Sequence, residues 1–222
     1  MEFRIISIGA LSRHELRADK GPVRTAHATT SLLCSDKQII LVDPGLPAPA
    51  LAARLVERSG LEPADVTDIF LTNFRPAHRR GIRAFEHARW LISESERDTV
   101  GACLLQMLRE GQDDSIARLL KEDLATLKRC QVAPDRIAPA VDLFPLPGFS
   151  PGTCGLLLSG RRTTLIASDA VPTVEHLEQG RVLRGCYDVE QAQQSLMEAV
   201  EIADQIVPGH DNIVTNPTRR PF

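Results

Sequence analysis

The chain has 222 residues, of which 43% are hydrophobic and 25% are charged, and its formal net charge at pH 7 is −3. These values are ordinary for a folded globular protein and exclude a disordered or fibrous chain. The slightly acidic balance argues against a dedicated binder of nucleic acid or membrane surfaces, because phosphate contacts need a basic excess. We therefore expect neither as a partner.

The N-terminus and the cysteines predict a cytoplasmic protein. The N-terminal segment lacks the basic stretch and apolar core of a secretory signal, and no stretch approaches the ~18 apolar residues of a membrane span. The five cysteines are widely spaced and form no C-x-x-C pair. This pattern favours reduced, mostly buried thiols over disulfides or a zinc knuckle. A homodimer is compatible with the sequence.

The first part of the chain is predicted to contain strands and one long helix. An edge strand over "EFRIISIG" is followed by a hairpin over "SLLCSDKQIILVD". A helix is expected over "PAPALAARLVERSG", where apolar residues have helical spacing and Gly60 can end the helix. Buried strands are expected at "DIFLTN" and "ARWLIS", with a short helix from His78 to Phe85 between them.

Two amphipathic helices are predicted within residues 94–130. Each carries an apolar stripe at helical spacing, which is typical of a helix that packs on a core. We expect a helical hairpin that buries both stripes and forms an insertion in a single domain, residues 1–222. The stripes consist of Val100, Cys103, Leu104, Met107 and Leu108, and of Ile116, Leu119, Leu120, Leu124 and Leu127.

The rest of the chain is predicted to repeat the hairpin and helix arrangement of the first part. A strand over "VDLFPLPG" precedes a hairpin over "GLLLSGRRTTLIASDAV", which echoes the first hairpin. The segment "DVEQAQQSLMEAVEIAD" begins with a capping-box-like pattern and is predicted as a helix, followed by a last strand in "QIVPGHD". Two halves that each contain a hairpin and helices predict two mixed sheets with helices outside.

Four polar residues follow apolar strands at the points where the strands end. They are Asp43, His78, Asp169 and His210. An aspartate at such a position is often a turn or helix cap, and a single loop histidine is often solvated. Because α/β folds assemble sites at the carboxyl ends of strands, the four together predict one functional site.

The order of five short motifs resembles the metallo-β-lactamase superfamily. The motifs are "LVDPG", "LTNFRPAHRRG", "PGFSPGT", "IASDA" and "VPGH". They extend from about residue 30 to residue 212, which is nearly the whole chain. The resemblance implies an α/β fold with four αββα layers, namely two mixed sheets flanked by helices. In that family, five loops surround one or two metal ions.

The resemblance also implies that the first of the family's two metal sites is absent. At the family's H-x-H-x-D-H motif this chain has "NFRPAH", and Phe149 stands where the family's P-G-H turn has its histidine. Only Asp169 remains of the four ligands of that site. Asn73 is a poor zinc ligand, and neither Phe149 nor the protonated Arg75 has a lone pair to offer.

Three of the four ligands of the family's second site remain, namely His78, Asp169 and His210, while Ala77 replaces the fourth. Two imidazoles and one carboxylate can hold one zinc or iron ion, with water in the open position. A metal there would lower the pKa of its water towards ~7. The resemblance thus predicts a mononuclear hydrolase of an ester, thioester or lactone. Asp169, Arg75 and Asn73 are the candidate catalytic residues.

A second interpretation of the same residues needs no metal. His78 and His210 would hydrogen-bond Asp169, and the chain would be an inactive member of the family. It would then bind a small anionic ligand or a protein partner. An iron oxygenase or oxidoreductase is less favoured, because the relatives known for sulfur oxidation rely on the first metal site.

Arg75 is the most informative departure from the family motif, because it places a permanent positive charge near the missing first metal. It could pair with Asp169, or bind a substrate carboxylate or phosphate through its guanidinium fork. Arg75, Phe149 and Arg79 are therefore the candidate substrate-binding residues. Alternatively, Arg75 points into solvent beside Arg79 and Arg80.

Cysteine and glutamate residues near these motifs have simpler structural interpretations. Cys154 follows the Pro-Gly turn and is expected to be a buried core thiol. Glu94 and Glu96 follow a predicted strand, and we expect them to be acidic residues at a helix start, where they favour the helix dipole.

Overall fold

A computed structural model of the chain describes residues 1–17, 23–35, 37–111 and 113–219. The described residues form two six-stranded sheets, each mixed in direction. In the first sheet the order follows the chain, with β1, β2 and β3 antiparallel and β3, β4, β5 and β6 parallel. Its strands are β1 (Glu2–Ser7), β2 (Thr30–Ser35), β3 (Gln38–Val42), β4 (Asp68–Leu71), β5 (Arg89–Ile92) and β6 (Gln131–Val132).

The second sheet has the order β12-β11-β10-β9-β8-β7. Its one parallel pair is β10 with β11, and the other neighbours are antiparallel. Its strands are β7 (Arg136–Ala138), β8 (Val141–Pro145), β9 (Cys154–Leu158), β10 (Thr164–Ser168), β11 (Gln205–Pro208) and β12 (Val214–Thr215). The short strands β6, β7 and β12 are additions to the elements that the sequence predicted.

Helices cover the outer face of each sheet. They are α1 (Ala48–Ser59), α2 (Pro76–Arg79), α3 (Glu94–Arg109), α4 (Asp114–Arg129), α5 (Val174–Gln179) and α6 (Val189–Ile202), and 3₁₀ turns span Pro63–Asp65, Ile82–Phe85 and Pro217–Arg219. Asp36, which belongs to the predicted turn of the first hairpin, lies outside the described ranges. Within these ranges, no helix combines the length and the apolar character needed to cross a bilayer.

Alternation along the strands builds three apolar layers. On β4, Ile69 and Leu71 pack towards α1, α3 and α4, whereas Phe70 packs between the two sheets. On β10, Ile166 faces the first sheet and Leu165 packs with α5 and α6. Successive strand residues point to opposite faces, so each central strand is apolar on both sides. The predicted α/β fold of four αββα layers is therefore confirmed.

The helical hairpin α3–α4 is less deeply buried than its stripes predicted. Leu104, Leu120 and Leu127 are buried, but at the tip Leu119 is 61% exposed and Met107 is 38% exposed. Cys103 and Ile116 are also exposed. The expectation that both stripes lie in the core is therefore wrong for the tip of the hairpin.

The short helix predicted from His78 to Phe85 is two pieces, α2 and a 3₁₀ turn, separated at Gly81. The Ala77 carbonyl accepts from the Ala28 N–H (2.9 Å), while the Gly81 N–H donates to Pro44 (2.8 Å). Tertiary contacts thus replace the helical bond between these residues. A Cβ at Gly81 would lie 2.5 Å from the Leu46 carbonyl oxygen, so only glycine fits this close approach.

Candidate metal centre

Three side chains of the predicted site converge at the edge where the two sheets meet. Asp169 follows β10, His210 follows β11, and His78 lies on α2 just beyond β4. Asp169 Oδ2 is 2.8 Å from His78 Nε2, and its Oδ1 is 2.9 Å from His210 Nε2. Exposed fractions are 0% for His78, 2% for Asp169 and 8% for His210. Among the described residues, these are the three that could together hold a metal ion.

Both histidines are held in place through the other ring nitrogen. His78 Nδ1 lies 3.0 Å from Asp43 Oδ2, and His210 Nδ1 lies 3.0 Å from the backbone carbonyl oxygen of His27. Since carboxylate and carbonyl oxygens only accept, each Nδ1 carries the proton. Each Nε2 is then free to face Asp169. Anchoring of this kind is the usual support of metal-ligating histidines in proteins.

Asp43 is more than the turn cap that its position could have suggested. Its carboxylate accepts from the Thr72 N–H (2.9 Å) and the Thr72 hydroxyl (2.6 Å), in addition to His78. The Thr72 hydroxyl also lies 2.6 Å from the Ser168 hydroxyl. Asp43 and Ser168 have φ values of 50° and 52°, so both strand ends turn in the left-handed region. These turns aim Asp43 and Asp169 towards His78.

Asn73 contacts the centre as a hydrogen-bond donor. Its Oδ1 accepts from the Arg75 N–H (3.0 Å), which leaves the amide Nδ2 facing Asp169 Oδ2 (2.9 Å) and His78 Nε2 (3.3 Å). An amide NH₂ has no lone pair for a metal. Asn73 is therefore suited to orient Asp169, and the atom that it presents cannot replace the histidine of the family motif.

The electrostatics of the centre require a cation at His78. Burial lowers the pKa of His78, but the carboxylates of Asp43 and Asp169 outweigh burial and raise it to about 10. Burial alone would raise the pKa of Asp169, but His78 and His210 hold it well below its usual range. Without a metal, the neighbouring carboxylates of Asp43 and Asp169 thus favour the protonated form of His78.

The loop before α2 is tied to the Pro-Gly turn by one buried carboxylate. Glu96 is 1% exposed and accepts from the Phe74 N–H (2.9 Å), the Ser150 hydroxyl (2.7 Å) and the Gly152 N–H (3.1 Å). A Cβ at Gly152 would lie 2.0 Å from the Glu96 backbone nitrogen, so the turn and α3 are in direct contact. Glu96 lies in the first turn of α3, as predicted, but it fixes two site loops as well.

Arg75 does not pair with Asp169. Within the described residues it makes no ion pair, and its guanidinium carbon lies 5.0 Å from the centre of the Phe149 ring. Arg75 precedes Pro76 and has an extended backbone (φ −63°, ψ 146°), as residues before proline prefer. Its side chain lies against Phe149 of the Pro-Gly turn. The expected pairing is therefore corrected to a cation–π contact.

The three candidate substrate-binding residues line one cavity of about 480 Å³ beside the centre. Of these three, Arg75 and Phe149 contact each other, and Arg79 donates to the Phe74 carbonyl (2.8 Å) and pairs with Asp123 (2.8 Å). A different cavity of about 280 Å³ includes His210 in its wall. His210 is thus the member of the centre that adjoins open space, while His78 and Asp169 lie deeper.

The cysteines are free thiols in the structure. Cys154 is 2% exposed, and burial raises the pKa of its thiol to about 12, which confirms a buried core thiol. Cys130 is buried too, whereas Cys34 and Cys186 are half-buried. The prediction that most of the thiols are buried is therefore wrong.

Sequence reasoning missed the roles of Thr72 and Glu96 and the anchoring of His210 by the His27 carbonyl. Thr72 gave no signal, because a threonine at a strand end is common. Glu96 differs from its exposed neighbour Glu94 only in which side of α3 it occupies. A signal was present for Asp43, since it ends a strand next to the strand that leads to His78.

The comparisons with known proteins agree with the fold. No protein-family model matches the sequence, and no curated protein matches it. An inferred metallo-β-lactamase from Thermotoga maritima is 18% identical, with a TM-score of 0.70 over 96% of this chain and 98% of that chain. The dizinc quorum-quenching lactonase AidC, solved with a homoserine product, is 18% identical, with a TM-score of 0.63 over 79% and 68%.

A third similar structure is AiiA of B. thuringiensis with N-decanoyl-L-homoserine at its active site. It is 22% identical, and the TM-score is 0.64 over 94% of this chain and 92% of that chain. At such identities the likeness establishes the fold. This chain is a metallo-β-lactamase-fold protein, and His78, Asp169 and His210 lie at the strand ends that carry the predicted site.

Proposed function

We propose that the protein is a hydrolase that uses one metal ion, held by His78, Asp169 and His210, to cleave an ester, thioester or lactone. The observation that carries the proposal is the pair of Nε2 atoms aimed at one carboxylate, each with its Nδ1 anchored by an acceptor. Two imidazole lone pairs and a carboxylate that face one another need a cation between them. A divalent metal fits this donor set.

When bound, such a metal supplies Lewis acidity and lowers the pKa of a water molecule. The residues of the chain have separate roles around it. Asp43 holds the His78 tautomer in which Nε2 is unprotonated, and Asn73 holds the orientation of the Asp169 carboxylate through Oδ2. His210 borders the cavity of about 280 Å³, which gives water a route to the centre. Zinc and iron both suit two imidazoles and one carboxylate.

The metal content of the purified protein tests this proposal. We expect about one zinc or iron ion per chain after incubation with either metal, and less than a tenth of that in His210→Ala, which lacks one ligand. His87→Ala is the matched control, because His87 contacts the Val66 carbonyl away from the centre and should leave the content unchanged. The measurement is elemental analysis after dialysis, followed by metal-dependent turnover of an ester, a thioester and a lactone.

Wild-type protein that holds no metal after incubation would remove the hydrolase proposal. A content of two ions per chain would also contradict it. Metal that binds equally well to His210→Ala would place the ion elsewhere.

A second candidate, a metal-free protein that binds a small ligand, is favoured by the distances in the centre. Ligand atoms around a tetrahedral zinc lie about 3.3 Å apart, given bonds of ~2.0–2.1 Å. The separations at Asp169 are 2.8 Å and 2.9 Å, which are the lengths of direct hydrogen bonds. In this candidate, a proton on His78 takes the position of the metal, and Asn73 completes the hydrogen bonds of Asp169.

The pH dependence of stability separates the two candidates. The metal-free fold has a His78 pKa raised from 6.5 to about 10, so this group stabilises the fold fully below pH ~6.5. That stabilisation is lost as the pH rises through 10. We expect the free energy of unfolding, measured by urea denaturation with a chelator present, to fall between pH 7 and pH 10. The metal-loaded protein should not show this fall, because its His78 carries no proton on Nε2.

His87→Gln should show the same fall as the wild type, since His87 takes no part in the centre. A metal-free protein whose stability is flat over this range would contradict the imidazolium at His78. The same fall in the metal-loaded protein would mean that the metal does not bind His78.

A further inference from the structure

We propose that the cavity of about 480 Å³ between α2, α3 and the Pro-Gly turn binds an apolar molecule with one anionic head group, and that Arg75 binds the head group. The identification of this molecule as a substrate rests on the proposed hydrolase, whereas its binding does not depend on the metal. The cavity has the size of small-molecule pockets, ~300–1,000 Å³. One of its lining residues, Phe74, directly follows Asn73, whose amide contacts Asp169.

Most of the cavity wall is apolar. Phe74, Val100 and Leu104 form its floor next to the core, and Phe149 and Tyr187 lie at the sides. Tyr187 is 70% exposed although it borders this space, which leaves a large aromatic surface for contact. Aromatic and aliphatic walls of this kind favour a ligand with an acyl or aromatic body.

The charged side chains of the cavity wall differ in whether they already have bonding partners. Arg79 is paired with Asp123, stacks on Phe74 and donates to its carbonyl. The carboxylate of Glu96 is buried and accepts three hydrogen bonds. Among the described residues of this wall, Arg75 is the only charged residue whose side chain has neither an ion-pair partner nor a hydrogen bond.

Arg75 is positioned for an anionic head group. Its backbone N–H is bonded to Asn73, and its guanidinium rests on the Phe149 ring, which fixes its position without using its N–H donors. A guanidinium presents these donors as a planar fork that matches a carboxylate or a phosphate. An anionic head group at Arg75 would place the apolar body over Phe149 and along α3.

Calorimetric titration of the metal-free protein tests the inference with matched ligands. Octanoate and octyl phosphate carry an anionic head group, and octanamide has the same body without the charge. We expect one site at which octanoate or octyl phosphate binds at least tenfold more tightly than octanamide. Arg75→Ala should remove this preference, since a hydrogen bond to a charged group accounts for about a tenfold or larger difference in affinity.

Arg83→Ala is the control, because Arg83 is an exposed arginine close in sequence but outside the cavity wall. Phe149→Ala should weaken all ligands, including octanamide, because it removes part of the wall. Equal affinity for octanoate, octyl phosphate and octanamide would overturn the inference, as would an Arg83→Ala effect as large as that of Arg75→Ala. Because no metal is present, a failure here is distinct from a failure of the hydrolase proposal. Tighter binding of octanoate would indicate a carboxylate head group, and tighter binding of octyl phosphate would indicate a phosphate.

Discussion

Replacement of Asp43 by asparagine is expected to lower the affinity of the centre for zinc by about 10- to 100-fold, the usual effect of losing a residue that orients a metal ligand. The Thr72 N–H fixes the asparagine carbonyl at the position of Oδ1, so the amide NH₂ takes the position of Oδ2 beside His78. His78 Nδ1 must then accept a hydrogen bond, and the proton moves to Nε2. A protonated Nε2 cannot bind a metal.

The measurement is a zinc titration against a chelator of known affinity, with circular dichroism to confirm that the variant is folded. Asparagine tolerates the left-handed backbone of position 43 (φ 50°), so the fold should persist. Asp68→Asn is the matched control, because Asp68 is also a buried strand aspartate but pairs with Arg89 at the far end of β4. Equal zinc affinity in Asp43→Asn and the wild type would contradict the role of Asp43.

The largest loss of stability is expected for Glu96→Ala, with a fall of about 3 kcal/mol or more in the free energy of unfolding. The substitution leaves the N–H groups of Phe74 and Gly152 buried without the acceptor that they now share. It also opens a void between α3 and the Pro-Gly turn. Because both site loops lose their common anchor, the affinity for metal should fall as well.

Urea denaturation measures this change, with Glu94→Ala as the control. Glu94 belongs to the same helical turn and is exposed, so its removal should change stability by less than about 0.5 kcal/mol. Glu96→Gln should recover part of the loss, since its amide oxygen can still accept one of the N–H groups. If Glu96→Ala costs no more than Glu94→Ala, the carboxylate does not connect the two loops energetically.

Local patterns were enough to predict two mixed sheets and a site at the strand ends, whereas the four-layer arrangement and the choice of three metal ligands came from the resemblance to the family motifs. Polar residues that directly follow apolar strands mark the strand ends, and the carboxyl ends of parallel strands lie at the same edge of a sheet. The strand ends indicated Asp43, His78, Asp169 and His210 as one site, and the resemblance selected the last three as metal ligands; these three side chains lie close together in the structure. The ring nitrogen that each histidine uses depends on Asp43 and on a backbone carbonyl, which no sequence pattern reveals.

The departures have equally specific causes. Pairing with Asp169, one of the roles considered for Arg75, followed from charge alone, whereas the structure places the guanidinium over the Phe149 ring. Helical periodicity predicted the apolar faces of α3 and α4, but it contains no information on which part of each face another element covers. Leu119 is therefore exposed although its spacing is that of a core residue.

The short contact between the Thr72 and Ser168 hydroxyls gives the centre a structural role as well. Thr72 follows the first sheet and Ser168 ends a strand of the second, so this bond, like the contact of His78 with Asp169, joins the two sheets across their shared edge. The presence of a histidine and an aspartate at these positions therefore does not by itself indicate a reaction. His210 differs from them, because it borders open space while the His27 carbonyl holds its Nδ1.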